Sequence, residues 1–154
     1  TTKDTKKAQR SRRFFLVFLM KKFKFYKMII EEEISKIVFE AALKVHKALG
    51  PGLLESAYEE CLYYELKKSN LKIEKQKALP LIYEEVKMDV GYRIDILIED
   101  KFIVEIKSVE ALNDIHLAQL LTYLKLANCK LGLLVNFNVK LLKNGVRRVI
   151  NGSL

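Results

Sequence analysis

The chain has 154 residues, half of them apolar, which suits one folded domain with a substantial core and excludes a disordered protein. Its net charge of +9 is typical of a nucleic-acid-binding protein, but residues 1–27 carry ten lysines and arginines against Asp4 alone. Residues 28–154 therefore hold equal numbers of basic and acidic side chains. The overall charge gives no support for nucleic-acid binding by that part.

Residues 1–27 have a seven-residue apolar run, 14–20, between two basic stretches. The run is too short to cross a bilayer, and Lys21-Lys22 follow it where a signal peptide would have small residues. We expect an N-terminal extension that is disordered or not native, with Met28 as the natural start of a domain over residues 28–154. The alternative is a basic arm that contacts phosphates or an anionic membrane surface.

The next two segments have the apolar spacing of amphipathic helices, over residues 31–49 and about 53–68. Gly50-Pro51-Gly52 separates them, because proline cannot continue a helix and glycine readily takes the C-cap conformation. The inward positions are Ile34, Ile37, Val38, Ala41, Ala42, Val45 and Leu49 in the first helix, and Leu54, Tyr58, Cys61, Leu62 and Leu66 in the second. His46 lies near the end of the first helix, where a cation complements the dipole.

The rest of the chain alternates extended and helical patterns. Residues 73–90 read as strands with a turn at Glu84-Glu85, and Asn113 or Asp114 can cap a helix that reaches about Ala127. Residues 131–135 form a continuous apolar strand, and Asn144-Gly145 predicts a hairpin between residues 139–143 and 146–150. The prediction is an α/β fold with a mixed central β-sheet flanked by α-helices.

The chain's two cysteines, Cys61 and Cys129, are isolated from each other and from any Cys-x-x-Cys spacing. They support neither a zinc site nor an iron–sulfur cluster, and we interpret both as small core residues. Two unpaired thiols suit a reducing compartment, so we expect a cytoplasmic protein with no membrane partner.

Residues 91–107 form a predicted hairpin whose two faces differ in chemistry. The even positions are apolar and should be buried together: Tyr92, Ile94, Ile96, Ile98, Phe102, Val104 and Ile106. The opposite face collects charged side chains: Arg93, Asp95, Glu105 and Lys107. Two carboxylates and an ammonium on one sheet face are costly to bury unless they pair or hold a metal ion. This is the composition of a divalent-metal hydrolytic site.

The length of the turn decides whether the two carboxylates meet. A three-residue connection, Glu99 to Lys101, sets Asp95 opposite Glu105, whereas a two-residue loop would put them on opposite faces. We therefore predict the three-residue connection. The competing interpretation is a salt-bridge ladder on an exposed face, but Leu97 and Ile103 on the same side indicate that a helix covers it.

Three motifs in this order resemble a known family. Asp95 with Glu105-x-Lys107 resembles the signature of the PD-(D/E)xK nucleases, and Gly52-x-x-Glu55-x-x-Tyr58 resembles the GxxExxY motif of one group within them. Gln119-x-x-x-Tyr123 is similar to a helix motif of the RecB-like branch. The resemblance covers about residues 30–151 and implies a restriction-endonuclease-like core.

What the resemblance implies is a metal-dependent nuclease that hydrolyses phosphodiester bonds in DNA or RNA. Mg²⁺ or Mn²⁺ would be held by Asp95, Glu105 and the Ile106 carbonyl, with Glu55 as an accessory ligand from its helix. Lys107 would stabilise developing negative charge, or orient and help deprotonate the attacking water.

Four further residues are expected to bind substrate or support the site. Gln119 and Tyr123 would organise the site and touch the substrate strand, and Tyr58 would either support it or belong to the core. Arg93 would contact phosphate or pair with Glu105. His116, on the same stripe as Gln119, is interpreted as exposed or satisfied rather than catalytic.

The expected partners are nucleic acid and, alternatively, a second protein or a second copy of the chain. A competing function is a non-catalytic nucleic-acid- or protein-binding module that retains the nuclease fold. The electrically neutral domain leaves room for a partner that supplies substrate affinity.

Overall fold

The chain forms four helices and seven strands over the backbone of residues 2–89 and 91–152, which a computed structural model describes; side chains are described for residues 9, 11–21, 30–89 and 91–152. The helices are α1 (Thr2–Leu49), α2 (Glu55–Leu66), α3 (Asp114–Leu126) and the single turn α4 (Leu142–Gly145). The strands are β1 (Ile73–Ala78), β2 (Leu81–Tyr83), β3 (Val86–Met88), β4 (Arg93–Ile98), β5 (Phe102–Lys107), β6 (Leu131–Asn136) and β7 (Val146–Ile150).

Five of the strands make one mixed sheet in the order β1-β4-β5-β6-β7. Only β5 and β6 are parallel, because α3 connects them and returns the chain to the same end of the sheet. β2 and β3 form a separate hairpin between β1 and β4, turning at Glu84-Glu85 as expected. Val90, the predicted end of that extended segment, lies outside the described residues. The α/β fold with a mixed sheet is confirmed.

Helix α3 covers one face of the sheet, and its apolar side chains bury the residues of that face. Leu120 and Leu124 are fully buried in one cluster with Leu97, Ile103 and strand β6. Asn113 caps α3 through a capping box in which its side chain accepts the backbone N–H of His116 and the His116 side chain accepts that of Asn113. The predicted cap is confirmed, and His116 is satisfied by it.

Helix α2 and the C-terminal half of α1 supply a second set of buried side chains. Ile34, Val38, Ala42 and Val45 of α1 are buried at the predicted spacing, and α2 contacts β1, β4 and β5. His46 is buried rather than placed at a solvated helix end, because its Nε2 lies 2.7 Å from the Val139 carbonyl oxygen and donates to it.

Several predicted core positions are wrong. Leu49 and Leu54 are exposed, since they flank the Gly50–Gly52 turn where α1 ends and before α2 begins at Glu55. Cys61 is half-buried beside α1, whereas Cys129 is buried as expected, and the two are not joined by a disulfide.

The hairpin predicted at Asn144-Gly145 is also wrong. Residues 142–145 form the turn α4, and β7 pairs with β6 instead of with residues 139–143. Gly145 is needed for close packing rather than for a tight turn, because a Cβ there would collide with the Asn136 carbonyl oxygen.

The first 33 residues form a unit of their own, apart from the compact unit Ile34–Leu154. Its backbone is helical from Thr2, and the expectation that residues 1–27 are an extension that is disordered or not native stays a prediction. The described apolar side chains 14–20 are all exposed. Met28, the expected native start, has a side chain outside the described residues. No helix in the described part of the chain combines the length and apolarity that crossing a membrane requires.

Candidate metal-dependent active site

The β4–β5 hairpin brings the predicted acids together through its turn. Ile98 pairs with Phe102, and Glu99 and Asp100 both take positive φ, of 52° and 54°, so the connection has the predicted three residues. In this register Asp95 falls opposite Glu105. Leu97 and Ile103 on the same face are buried under α3, which excludes the alternative of a ladder on an exposed sheet face.

Alternation is less regular at the start of the hairpin than the sequence predicts. Tyr92 precedes β4 and is exposed, with its ring 6.2 Å from the ring of Tyr123 on α3. Ile94 is buried, but in the cluster under α3 instead of with the other even positions. The strand is therefore irregular around Asp95.

Glu105 is the most deeply buried acid of the hairpin, with 3% of its surface exposed. Its Oε1 lies 2.9 Å from Lys107 Nζ, while Oε2 is buried without a hydrogen-bond partner among the described residues. Burial raises the pKa of Glu105 from 4.5 to about 7, and repulsion by Asp95 adds to the rise. A cation in addition to the Lys107 ammonium would therefore stabilise the ionised form of Glu105.

Asp95 lies beside Glu105 and is half-buried. Its Oδ2 accepts the backbone N–H of Ile106 at 2.8 Å, which fixes the carboxylate against strand β5. Burial raises the pKa of Asp95, against the lowering effects of the Ile106 N–H and the Lys107 ammonium. The two acids and Lys107 thus form one electrostatic group at the point where β4 and β5 cease to pair.

Lys107 is held beside the two acids by its ion pair with Glu105. Burial by itself lowers the pKa of Lys107, but the Glu105, Glu55 and Asp95 carboxylates outweigh it and the net effect is a rise. The ammonium therefore stays protonated in this arrangement. A protonated Lys107 suits stabilisation of negative charge better than removal of a proton from water.

Glu55, at the first turn of α2, reaches the end of β5. Its Oε1 accepts the backbone N–H of Ser108 at 3.1 Å, and the Ser108 hydroxyl donates to the Leu53 carbonyl oxygen. Among the described residues no group of three or more His, Cys, Asp or Glu side chains is arranged to hold a metal ion. In this structure Glu55 bonds the end of β5 and its charge acts on Asp95, Glu105 and Lys107, and its expected role as an accessory metal ligand stays a prediction.

Tyr58 is a fully buried support for the loop between α1 and α2. Its hydroxyl donates to the Gly50 carbonyl oxygen at 2.5 Å and accepts the Leu53 N–H at 3.2 Å, while its ring stacks on Phe137. Gly52 in this loop takes a φ of +105°, which favours glycine. Gly52, Glu55 and Tyr58 thus hold the loop and the α2 N-terminus at the end of β5.

Gln119 and Tyr123 pair on α3, as their spacing predicts. Gln119 Nε2 donates to the Tyr123 hydroxyl at 3.1 Å, and Tyr123 is buried. Burial raises the pKa of Tyr123, and the charges of Glu105, Lys107 and Asp95 also act on it. The pair therefore borders the acidic group.

Arg93 is exposed and turns toward strand β1. Its Nη1 donates to the Gln76 carbonyl oxygen at 3.4 Å, so the expected pairing with Glu105 is not formed. The expectation that Arg93 contacts phosphate stays a prediction.

Two neighbours of Asp95 were missed by the sequence reasoning. Gln76 of β1 lies across from Asp95 between the paired residues of β1 and β4, and its Nε2 donates to Glu59 Oε2 at 2.6 Å. Burial raises the pKa of Glu59, and Asp95 contributes to the rise. Glu59 lies four residues after Glu55, so a shared helix face was the signal that could have found it.

The donor set fits a hard divalent cation. Asp95 and Glu105 offer carboxylate oxygens, one of them buried with no hydrogen-bond partner in the described part of the chain, and the Ile106 carbonyl adjoins them in the chain. Mg²⁺ commonly takes one or two carboxylates and keeps several waters, so a third acidic side chain is not required.

Comparison with known proteins agrees with this arrangement. A family model described as "PD-(D/E)XK nuclease superfamily" matches residues 32–149, which include every residue discussed above for the site. No curated protein and no solved structure matches the chain significantly.

Proposed function

The chain belongs to the PD-(D/E)XK nuclease superfamily, and from this premise we propose that it is a metal-dependent nuclease that hydrolyses phosphodiester bonds in DNA or RNA. One observation carries the proposal. Glu105 keeps a buried oxygen, Oε2, for which the described residues offer no hydrogen-bond partner, beside Asp95 and Lys107. In a purely structural ion pair a buried oxygen without a partner would be costly, whereas in a cation site this oxygen coordinates the ion.

Asp95, Glu105 and the Ile106 carbonyl would hold Mg²⁺ or Mn²⁺. When bound, the ion would neutralise phosphate oxygens and activate water for attack. Asp95 is already oriented for this role by the Ile106 N–H, and Glu105 by Lys107. Glu55 would be an accessory ligand from α2, since its charge acts on Asp95, Glu105 and Lys107 and its Oε1 is held by the Ser108 N–H.

Lys107 would place its ammonium against the scissile phosphate and stabilise the charge that develops there. The shared proximity of Glu105, Glu55 and Asp95 supports this role, because it keeps the side chain protonated. Gln119 and Tyr123 would border the substrate strand from α3, and Arg93 would contact a phosphate outside the acidic group.

We also propose that the chain belongs to the GxxExxY group of the superfamily. Gly52, Glu55 and Tyr58 support this, since each has a separate role in one loop-and-helix unit: positive φ, pinning of β5 and clamping of the loop.

The test is a cleavage panel of labelled single- and double-stranded DNA and RNA, with Mg²⁺, Mn²⁺ or a chelator. We expect cleavage that needs the metal, and a loss of at least about a hundredfold in rate for Asp95→Asn and Lys107→Met. The matched controls, Asp100→Asn and Lys101→Met in the turn of the same hairpin, should retain the parent rate. Binding of nucleic acid without cleavage, insensitive to metal, would instead favour a non-catalytic module.

A further inference from the structure

Gln76 occupies a strained position opposite Asp95. The β1–β4 ladder pairs Lys75 with Ile96 and Lys77 with Ile94, but the pair between them is not formed. Gln76 has a φ of +51° inside a strand, a conformation that residues with a side chain rarely adopt. Such strain persists only where surrounding contacts hold it, and it is frequent at functional sites.

The contacts that hold Gln76 are those of its amide. Nε2 donates to Glu59 Oε2 at 2.6 Å, and the β1–β4 register places the residue across from Asp95, whose ionised form the amide favours. The Gln76 carbonyl oxygen accepts from Arg93, which ties the backbone at the same point. One neutral amide is therefore bonded to the Glu59 carboxylate and adjoins the Asp95 carboxylate, two groups that repel each other.

Glu59 anchors this bridge from helix α2. It is buried, with 9% of its surface exposed, and its hydrogen-bond partner among the described residues is Gln76. The adjacent Glu60 differs: it is exposed and forms an ion pair with Lys75 of the same strand. Both acids link α2 to β1, but only Glu59 is connected to Asp95.

We propose that Gln76 and Glu59 are positioning residues for Asp95: Glu59 fixes the Gln76 amide, and the amide restrains the Asp95 carboxylate in the orientation that binds the cation. The inference rests on the proposed function, since it assigns Asp95 to the metal. Neither residue needs to touch the ion. Losing a partner that orients a metal ligand typically weakens metal binding about 10- to 100-fold.

The experiment measures Mn²⁺ and Mg²⁺ affinity by calorimetry on the full chain, with melting temperature without metal as the check on folding. Gln76→Gly removes the amide and suits the positive φ, so it should fold well yet bind Mn²⁺ about tenfold more weakly. Glu59→Ala should weaken binding similarly. Glu59→Gln keeps an oxygen acceptor for the amide and should recover most of the affinity. Glu60→Ala is the matched control and should bind like the parent.

The outcomes separate the two proposals. Parent protein that binds no metal overturns the proposed function and this inference with it. Parent protein that binds metal while Gln76→Gly and Glu59→Ala bind within about twofold of it overturns the inference alone. Equal weakening by Glu60→Ala also overturns it, because the effect would then come from the packing of α2 on β1.

Discussion

The burial of Glu105 makes a quantitative prediction about stability without metal. In the variant Glu105→Gln the side chain keeps its shape but cannot ionise. Burial raises the pKa of Glu105 from 4.5 to about 7 in the folded protein. Between these two values the unfolded chain loses the proton while the folded protein keeps it, so raising the pH destabilises the parent protein over that interval.

The magnitude follows from the width of the interval. Each pH unit between the two pKa values lowers the free energy of unfolding by about 1.4 kcal/mol, so the loss is about 3 kcal/mol once the pH exceeds 7. Glu105→Gln lacks this loss. Relative to the parent, the variant should therefore gain about 3 kcal/mol between pH 4 and pH 8. Taking the difference between two pH values removes any constant effect of the new amide.

The assay is urea unfolding of parent and variant at pH 4 to 8 with a chelator present. The exposed Glu85, in the β2–β3 turn, provides the control Glu85→Gln, which should show no such pH-dependent gain. Mg²⁺ added at pH 8 should then stabilise the parent and not Glu105→Gln, because the ion supplies the missing partner. A stability difference that stays constant across the pH range would refute the raised pKa of the buried Glu105 carboxyl.

Three further predictions concern the frame around the site. Tyr58→Phe removes a buried hydroxyl that bonds two backbone groups, and it should lower the free energy of unfolding by about 1–3 kcal/mol. The control Tyr64→Phe, at an exposed position, should lower it little, and equal effects would contradict the role of the Tyr58 hydroxyl in holding the loop. Gly145→Ala should lower the free energy of unfolding in urea by about 1–3 kcal/mol, because its Cβ would collide with the Asn136 carbonyl oxygen. Unchanged stability would show that the backbone shifts to accommodate the Cβ. Deleting residues 1–27 should leave the Mn²⁺-induced rise in melting temperature unchanged, since all site residues lie in the compact unit Ile34–Leu154. Loss of this rise in melting temperature would show that residues 1–27 contribute to the site.

The hairpin that carries the acids was predictable because two strong signals agree there. Alternation fixes which residues share a face, and burial of Leu97 and Ile103 specifies the register that sets Asp95 opposite Glu105. The capping box at Asn113 was also local, since a cap depends on residues three apart in the chain.

Other features depend on contacts between distant segments, which no local pattern contains. Asn144-Gly145 has the sequence of a tight turn, but glycine is required at 145 because the Asn136 carbonyl oxygen of β6 leaves no space for a Cβ. Gln76 looks like an ordinary polar residue in a strand, and its left-handed backbone follows from its bonds to α2 and β4. Sequence therefore located the acids and missed what orients them.

The central claim is that Asp95 and Glu105 together hold a divalent cation. Crystals of the full chain grown with Mn²⁺ test it most directly, because anomalous scattering identifies the ion without reference to activity. The account predicts one strong anomalous peak between the two carboxylates, at the Glu105 Oε2 that no described residue hydrogen-bonds, and its loss in Asp95→Asn. No peak there in the parent protein at millimolar Mn²⁺, with Lys107 still paired to Glu105, would contradict the account.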